Sequence, residues 1–327
     1  MTKVLGSKVL ITGGLGFIGS NLARKLCRQG AKVTIIDSLF ADYGGNQFNI
    51  ADIASNVEVH YLDVRNTDEL KKLIIGKDCI FNLAAQSSHM GSMLDPIADL
   101  EINVTALVSM LEVCKEFNPD VKIVHASTRQ IYGSPDYLPV KESHPIRPVD
   151  VNGINKSAAE QYLMLYNKVY NLRSCSLRLT NTYGPGMRVK DAKQTFLGIW
   201  IKSVLEQKPF SIYGDGSQVR DFNYVDDCSD AFILCAYNEI SNGKVYNLGG
   251  TPSIELKALA EIITSLGFGG SYDFIPFPSS QKAIDIGDYF ADISLIQTDL
   301  KWYPGIDLSD GLTKALAYYD KNRNHYW

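Results

Sequence analysis

Three glycines and one acid carry the first chemistry legible in this chain. Gly13, Gly16 and Gly19 stand in Val9-Leu10-Ile11-Thr12-Gly13-Gly14-Leu15-Gly16-Phe17-Ile18-Gly19, and Asp37 closes the next apolar run. A tight turn needs a residue tolerant of positive φ, and a pyrophosphate needs backbone NH groups unobstructed by Cβ atoms. A helix opening at Phe17 and Ile18 aims its unpaired NH groups and positive dipole end at the phosphates. Asp37 then accepts from the ribose hydroxyls. The next cation after Asp37 is Arg65, so a 2′-phosphate would meet an acid without a compensating charge, and NAD is favoured over NADP. The glycines alone would fit an ordinary βαβ turn; strand, helix and acid in the right order point to a dinucleotide.

A second group of reactive residue types follows two later apolar runs. These are Asn82-Leu83-Ala84-Ala85-Gln86-Ser87-Ser88-His89 and His125-Ala126-Ser127-Thr128-Arg129-Gln130-Ile131-Tyr132-Gly133. Both are expected at the carboxyl ends of strands, where open α/β sheets bind ligands. Ala84 and Ala85 are small enough for a nicotinamide to approach the backbone, and Thr128 can hydrogen-bond a substrate hydroxyl or carbonyl. Gln86 and His89 are expected to face the substrate.

The elements that must position these groups alternate. Strands are predicted near 8–12, 32–36, 57–62, 78–82, 121–126 and 173–178, with helices near 17–29, 67–73, 97–117 and 154–170 between them. Such alternation predicts an α/β fold with a doubly wound parallel Rossmann sheet. Beyond Pro185 the pattern loosens, with helices near 194–206, 226–237, 255–266 and 308–322 and short strands near 210–212, 244–247 and 273–276. A smaller mixed α/β substrate lobe is expected there. The expected division is a cofactor domain over 1–180, also receiving 222–250, and a substrate lobe over most of 181–327.

Composition sets outer bounds. The chain has 327 residues, 45% of them hydrophobic, and a formal net charge of −4, which gives no sign of a nucleic-acid-binding protein. No apolar segment approaches the roughly 18 residues that suggest a membrane span, and a cytoplasmic location is expected. Cys27, Cys79, Cys114, Cys175, Cys228 and Cys235 show no metal-ligand spacing and read as reduced structural thiols, with no metal expected.

Ordered motifs extend these features along nearly the whole chain. Besides the glycine loop there are Asp63-Val64, Asn103, Asn181-x-Tyr183-Gly184-Pro185, Arg220-Asp221-x-x-Tyr224-Val225-Asp226-Asp227 and Tyr246-Asn247-Leu248-Gly249. In these the chain resembles the extended short-chain dehydrogenase/reductases, specifically the NAD-dependent nucleotide-sugar epimerases and dehydratases. The resemblance implies that Asp63 and Val64 border the adenine, that Asn181 and Arg220 hold the diphosphate of a sugar nucleotide, and that Tyr213 lies by its base. It also implies a homodimer through the helices near 97–117 and 154–170. The family's working centre joins a Ser or Thr to a Tyr and a Lys four apart on one helix, where the Lys charge favours tyrosinate as a base.

Here the chain departs from that pattern. Thr128 and Lys156 are present, but Asn152 stands four residues before Lys156, and a carboxamide does not titrate near neutrality. Asn152 is read as a substrate contact or as the N-cap of the helix near 154–170. The literal Tyr137-x-x-x-Lys141 contains Pro139, which disfavours the helix such a pair requires. Tyr132, Tyr183, His89 and Lys156 remain candidates for the missing base. Arg129-Gln130 occupies the positions where related dehydratases carry Asp-Glu, which disfavours conventional 4,6-dehydration. Asp285 replaces an Arg often placed against the nucleotide, with Arg188, Lys190 and Lys193 as nearby cations.

The expected activity is epimerisation of a nucleotide-activated sugar through a transient keto sugar, with tightly bound NAD. Thr128, Asn152 and Lys156 form its catalytic set, and Lys156 also holds the nicotinamide ribose. The alternatives are an atypical nucleotide-sugar dehydratase and a redox-inactive protein that binds NAD or a sugar nucleotide.

Overall fold

Seven parallel strands form the main sheet of the computed structural model, which describes residues 4–40, 43–191 and 194–327; Lys193 lies outside them. In chain order these are β1 (Lys8–Thr12), β2 (Lys32–Asp37), β3 (Val57–Tyr61), β4 (Cys79–Asn82), β5 (Lys122–Thr128) and β6 (Ser174–Leu179), followed by the edge strand Lys244–Leu248. The spatial order is Lys244–Leu248, β6, β5, β4, β1, β2, β3. Helices cover both faces, so the central strands are buried on both sides; all four residues of β4 are buried. Chain direction across the sheet reverses at β1, which pairs with β2 on one side and β4 on the other. That switch point opens a crevice at the carboxyl ends of the strands.

The helices that matter for the site are α1 (Phe17–Arg28), α2 (Thr67–Ile74), α3 (His89–Leu94), α4 (Pro96–Leu100), α5 (Ala106–Phe117), α6 (Val151–Tyr170), α7 (Phe196–Leu205) and α8 (Val225–Tyr237). Leu22 and Leu26 of α1 share a core with Ala231 and Phe232 of α8 on one face of the sheet. Leu70, Leu107, Leu111 and Leu163 fill the core on the other face. A separate core around Trp200, Phe210, Leu259 and Tyr319 supports the second lobe. Its parallel pair joins Pro209–Tyr213 to Ser271–Ile275.

Two helices differ from expectation in ways that shape the site. The continuous helix predicted over 97–117 is interrupted between α4 and α5 by a π-helical turn at Glu101–Thr105. Such widened turns recur at functional sites, and here one holds the buried Asn103, whose Nδ2 donates to the Gln86 carbonyl at 3.0 Å. The second helix begins at Val151 rather than 154. Its N-cap is Asp150, whose Oδ1 accepts from Gly153 N at 2.6 Å. Asn152 is therefore inside the first turn and is not the cap.

Candidate active site

One cavity follows the crevice from the glycine turn to the start of α6. Gly13, Gly16, Phe17, Ile18 and Gly19 line one end. Gly13 has φ +71°, and a Cβ on it would lie 2.8 Å from Ala84 N. A Cβ on Gly19 would approach Gly13 O to 2.3 Å, so the turn closes only with glycine at both positions. Gly16 caps α1 without a side-chain bond, leaving the helix NH groups to an anion. These features fit a dinucleotide pyrophosphate.

The rest of the cradle is held by backbone. Asp37 accepts from Leu15 N at 3.0 Å and from Leu39 N at 2.9 Å, and burial pushes its carboxyl above the usual range. Asp63 and Val64 line the cavity beyond it, while Ala84 and Ala85 form the opposite wall. Arg65 donates to Asp63 and, at 2.9 Å, to Glu101. The first cation after Asp37 is thus committed to acids, which keeps the ribose end suited to NAD.

At the other end the same cavity is lined by Thr128, Asn152 and Lys156. Thr128 ends β5, and its Oγ1 accepts from Gln130 N at 3.2 Å, leaving the hydroxyl proton to donate. Lys156 Nζ donates to Ala126 O at 2.9 Å. Burial lowers its pKa to about 8 against the raising effect of Asp99 and Glu160. Asn152 is 2% exposed. Its Nδ2 donates to Gln86 O at 2.8 Å and to Asp99 Oδ2 at 3.2 Å. Two acceptors fix the amide orientation, because the flipped amide would set oxygen against oxygen. Asn152 can therefore offer a substrate only an accepting Oδ1.

The candidate bases separate sharply. Tyr132 is fully buried, donating to Asn247 Oδ1 at 2.6 Å and accepting from Arg178 at 2.7 Å. Tyr183 is 1% exposed and donates to Leu308 O at 3.3 Å. Burial raises both phenols above their ordinary range, and neither lines the cavity. Tyr137 and Lys141 sit in an irregular segment, not on a helix. His89, the first residue of α3, does line the cavity, with Nδ1 2.8 Å from Asp150 Oδ2.

Other expected substrate contacts lie apart. Gln86 is buried, its side chain closed on the Ser88 backbone through both amide atoms, and only its carbonyl serves the site. Asn181 accepts from Arg129 at 3.1 Å and donates to Asp221 O at 2.9 Å. Arg220 donates to Gly287 O and pairs with Asp285 at 3.3 Å. Burial and the neighbouring Arg129 lower its pKa to about 10. This cluster joins the cavity through Leu179 and Thr180, which line it. Tyr213 packs on Phe277, ring centroids 5.3 Å apart.

Three structural participants escaped the reading from sequence. Asp150 carried a signal, since Asp just before a helix is a favoured N-cap. Asp99 gave none; it lies inside a helical pattern yet is wholly buried, accepting from Asn152 and, at 2.8 Å, from Asn155. Gln194 crosses from the second lobe to Tyr43 O and Ser87 Oγ, at 3.0 and 3.2 Å.

Residues 9–249 match the NAD dependent epimerase/dehydratase family. The chain belongs to that family. A relative in Methanocaldococcus jannaschii, provisionally named a UDP-glucose 4-epimerase, is 33% identical over 97% of this chain and 99% of its own. The Thermotoga maritima UDP-glucose 4-epimerase, solved with UDP-glucose, has a TM-score of 0.88 at 26% identity, covering 97% of this chain and 99% of that one. A dTDP-glucose 4,6-dehydratase of Streptomyces venezuelae, solved with NAD bound, also gives a TM-score of 0.88 at 26% identity over 97% and 98% of the two chains. The epimerase/dehydratase fold and its NAD dependence account for the cradle. No helix among the described residues is long and apolar enough to cross a membrane.

Proposed function

We propose that this NAD-dependent family member epimerises a nucleotide-activated sugar through a transient keto sugar. One observation carries the reading: the dinucleotide cradle opens onto Thr128 and Lys156 in a single cavity. Bound NAD supplies reversible hydride transfer. Thr128 donates its hydroxyl proton to the reacting oxygen, Asn152 Oδ1 accepts from a neighbouring sugar hydroxyl, and the Lys156 ammonium holds the ribose and favours negative charge nearby. Asn181, Arg220 and Tyr213 take the nucleotide end, where Arg220 must exchange its present bonds to Val219 O, Gly287 O, Gln218 and Asp285 for phosphate oxygens. Residues 1–180 with 222–250 serve the cofactor, and most of 181–327 serves the substrate.

The side chains after Thr128 argue against dehydration. Arg129 turns to Asn181, and Gln130 donates to Asp150 at 2.9 Å; neither lines the cavity or supplies a carboxylate. The competing reading, binding without turnover, draws on the amide at position 152. Purified protein with bound NAD is expected to convert at least one member of a UDP-, dTDP-, CDP- and GDP-sugar panel, read by NMR of the product. Binding of a panel member with no conversion, and no rise in absorbance of reduced nicotinamide, selects the noncatalytic reading.

The chain is further proposed to act as a cytoplasmic homodimer. Ile154, Tyr162, Leu165 and Val169 of α6 are 54%, 39%, 50% and 54% exposed and share one face at helical spacing, an apolar surface suited to a second copy.

A further inference from the structure

The proton chemistry of the cavity lacks its family owner, and most substitutes are eliminated by position. Asn152 does not titrate, and Tyr132 and Tyr183 are sealed in the core. Lys156 Nζ is held as a donor to Ala126 O at 2.9 Å, and the role proposed above for it, holding the ribose, requires its ammonium, which has no lone pair to take a proton. His125 is 1% exposed, its Nδ1 3.1 Å from Asn82 Nδ2, and it does not line the cavity. His89 lines the same cavity as Thr128 and Lys156, and its side chain is 38% exposed.

Asp150 is placed to orient that imidazole. Its Oδ1 is fixed by Gly153 N and its Oδ2 accepts from Gln130 Nε2, so the carboxylate cannot swing away. Oδ2 lies 2.8 Å from His89 Nδ1. Nδ1 is sealed from solvent and makes no aligned hydrogen bond at the present ring angle; rotation of the ring converts the close approach into one, as catalytic pairs do when substrate arrives. A carboxylate at Nδ1 selects the tautomer protonated there and leaves the lone pair on Nε2. The cap of α6 thus doubles as the orienting group of a His–Asp pair, on the same helix that brings Asn152 and Lys156 to the cavity.

We propose that His89, oriented by Asp150, is the acid and base of this site, replacing the absent tyrosine. The assignment rests on the epimerase reading above. In the first half-reaction the sugar C–H bond breaks with its electron pair leaving as hydride to bound NAD, the hydroxyl proton passes to His89 Nε2, and C=O forms. In the second, hydride adds to the opposite face of the carbonyl and His89 returns the proton to oxygen. The sugar is oxidised and then reduced, with no net redox change.

Turnover of the best panel substrate by His89→Gln tests this. The expected result is a loss in kcat of about 100-fold or more, with NAD content retained and KM within about threefold of the wild type. His89→Ala should regain turnover in proportion to added imidazole. Asp150→Asn, which keeps a capping oxygen, should lower kcat with KM unchanged. A readout independent of turnover is the 15N NMR of the wild-type holoprotein, where His89 should show a protonated Nδ1 and an Nε2 signal that moves when substrate is added. A His89→Gln protein within about threefold of wild-type kcat, an His89→Ala protein indifferent to imidazole, or an Nε2-protonated tautomer overturns the assignment while the epimerase reading stands. A wild type that converts no nucleotide sugar overturns both.

Discussion

Lys156 shows how one residue can be placed by pattern yet given its chemistry by surroundings. Its place in the site follows from its motif, but its charge state follows from burial. Folding lowers its pKa from 10.5 to about 8, with Asp99 and Glu160 limiting the fall. Between those values the unfolded chain alone holds the proton, so this group's contribution makes stability rise with pH through that window. Function should move the other way. The role proposed for Lys156 requires its ammonium, which is lost above about 8, so kcat/KM is expected to decline on that limb. Asp99→Asn removes a carboxylate that raises the pKa and should shift the limb to lower pH in a pH–rate profile; an unmoved limb would show that Lys156 does not govern it. Asn152 makes the complementary point: its identity told what it could not do, whereas Gln86 O and Asp99 decide which of its atoms remains for a substrate.

At the scale of elements, α6 is the part on which the site depends most. Asp150 starts it, Asn152 and Lys156 project from its first turns, and Glu160 anchors it to β6. Glu160 takes Arg178 through both oxygens, at 3.0 and 2.7 Å, with side chains only 1% and 5% exposed. Arg178 continues to Tyr132 and the Glu142 carbonyl. Glu160→Gln would leave a buried guanidinium without its counter-charge and should destabilise the protein by about 3–5 kcal/mol, measured by urea unfolding of the apoprotein. An isolated exposed pair would give about 1 kcal/mol or less, so a small loss would contradict the burial of this pair. The strands and long helices were legible because apolar periodicity reports burial directly. The π-helical turn at Glu101–Thr105 was not, since nothing in the periodicity marks a widened turn whose Asn103 is held by the Gln86 carbonyl across the interior.

For the molecule as a whole, Gln194, just before α7, lines the cavity together with Tyr43 and Ser87 and is tied to both. The exposed apolar face of α6 gives the remaining prediction. Wild-type protein should elute as a dimer by light scattering, and Leu165→Glu should yield monomer while retaining bound NAD, because Leu165 lies outside the cavity. A wild-type monomer would remove the dimer from the proposal. The cofactor's identity was readable from the chain because its recognition is local: glycines, helix start and Asp37 fall within one βαβ unit, and their spacing is itself the geometry. The family followed from motifs in fixed order. Which histidine meets which carboxylate was not local. His89 and Asp150 come from separate segments, Asp99 reaches Asn152 across α4 and α6, and the candidate tyrosines vanish into the core only once the strands and second lobe pack around them. Sequence alone determined the holder of NAD and the absence of the usual tyrosine; the tertiary structure decided which titratable groups reach the cavity and which are sealed in the core, because proton transfer depends on contact distance between residues whose separation along the chain carries no record of it.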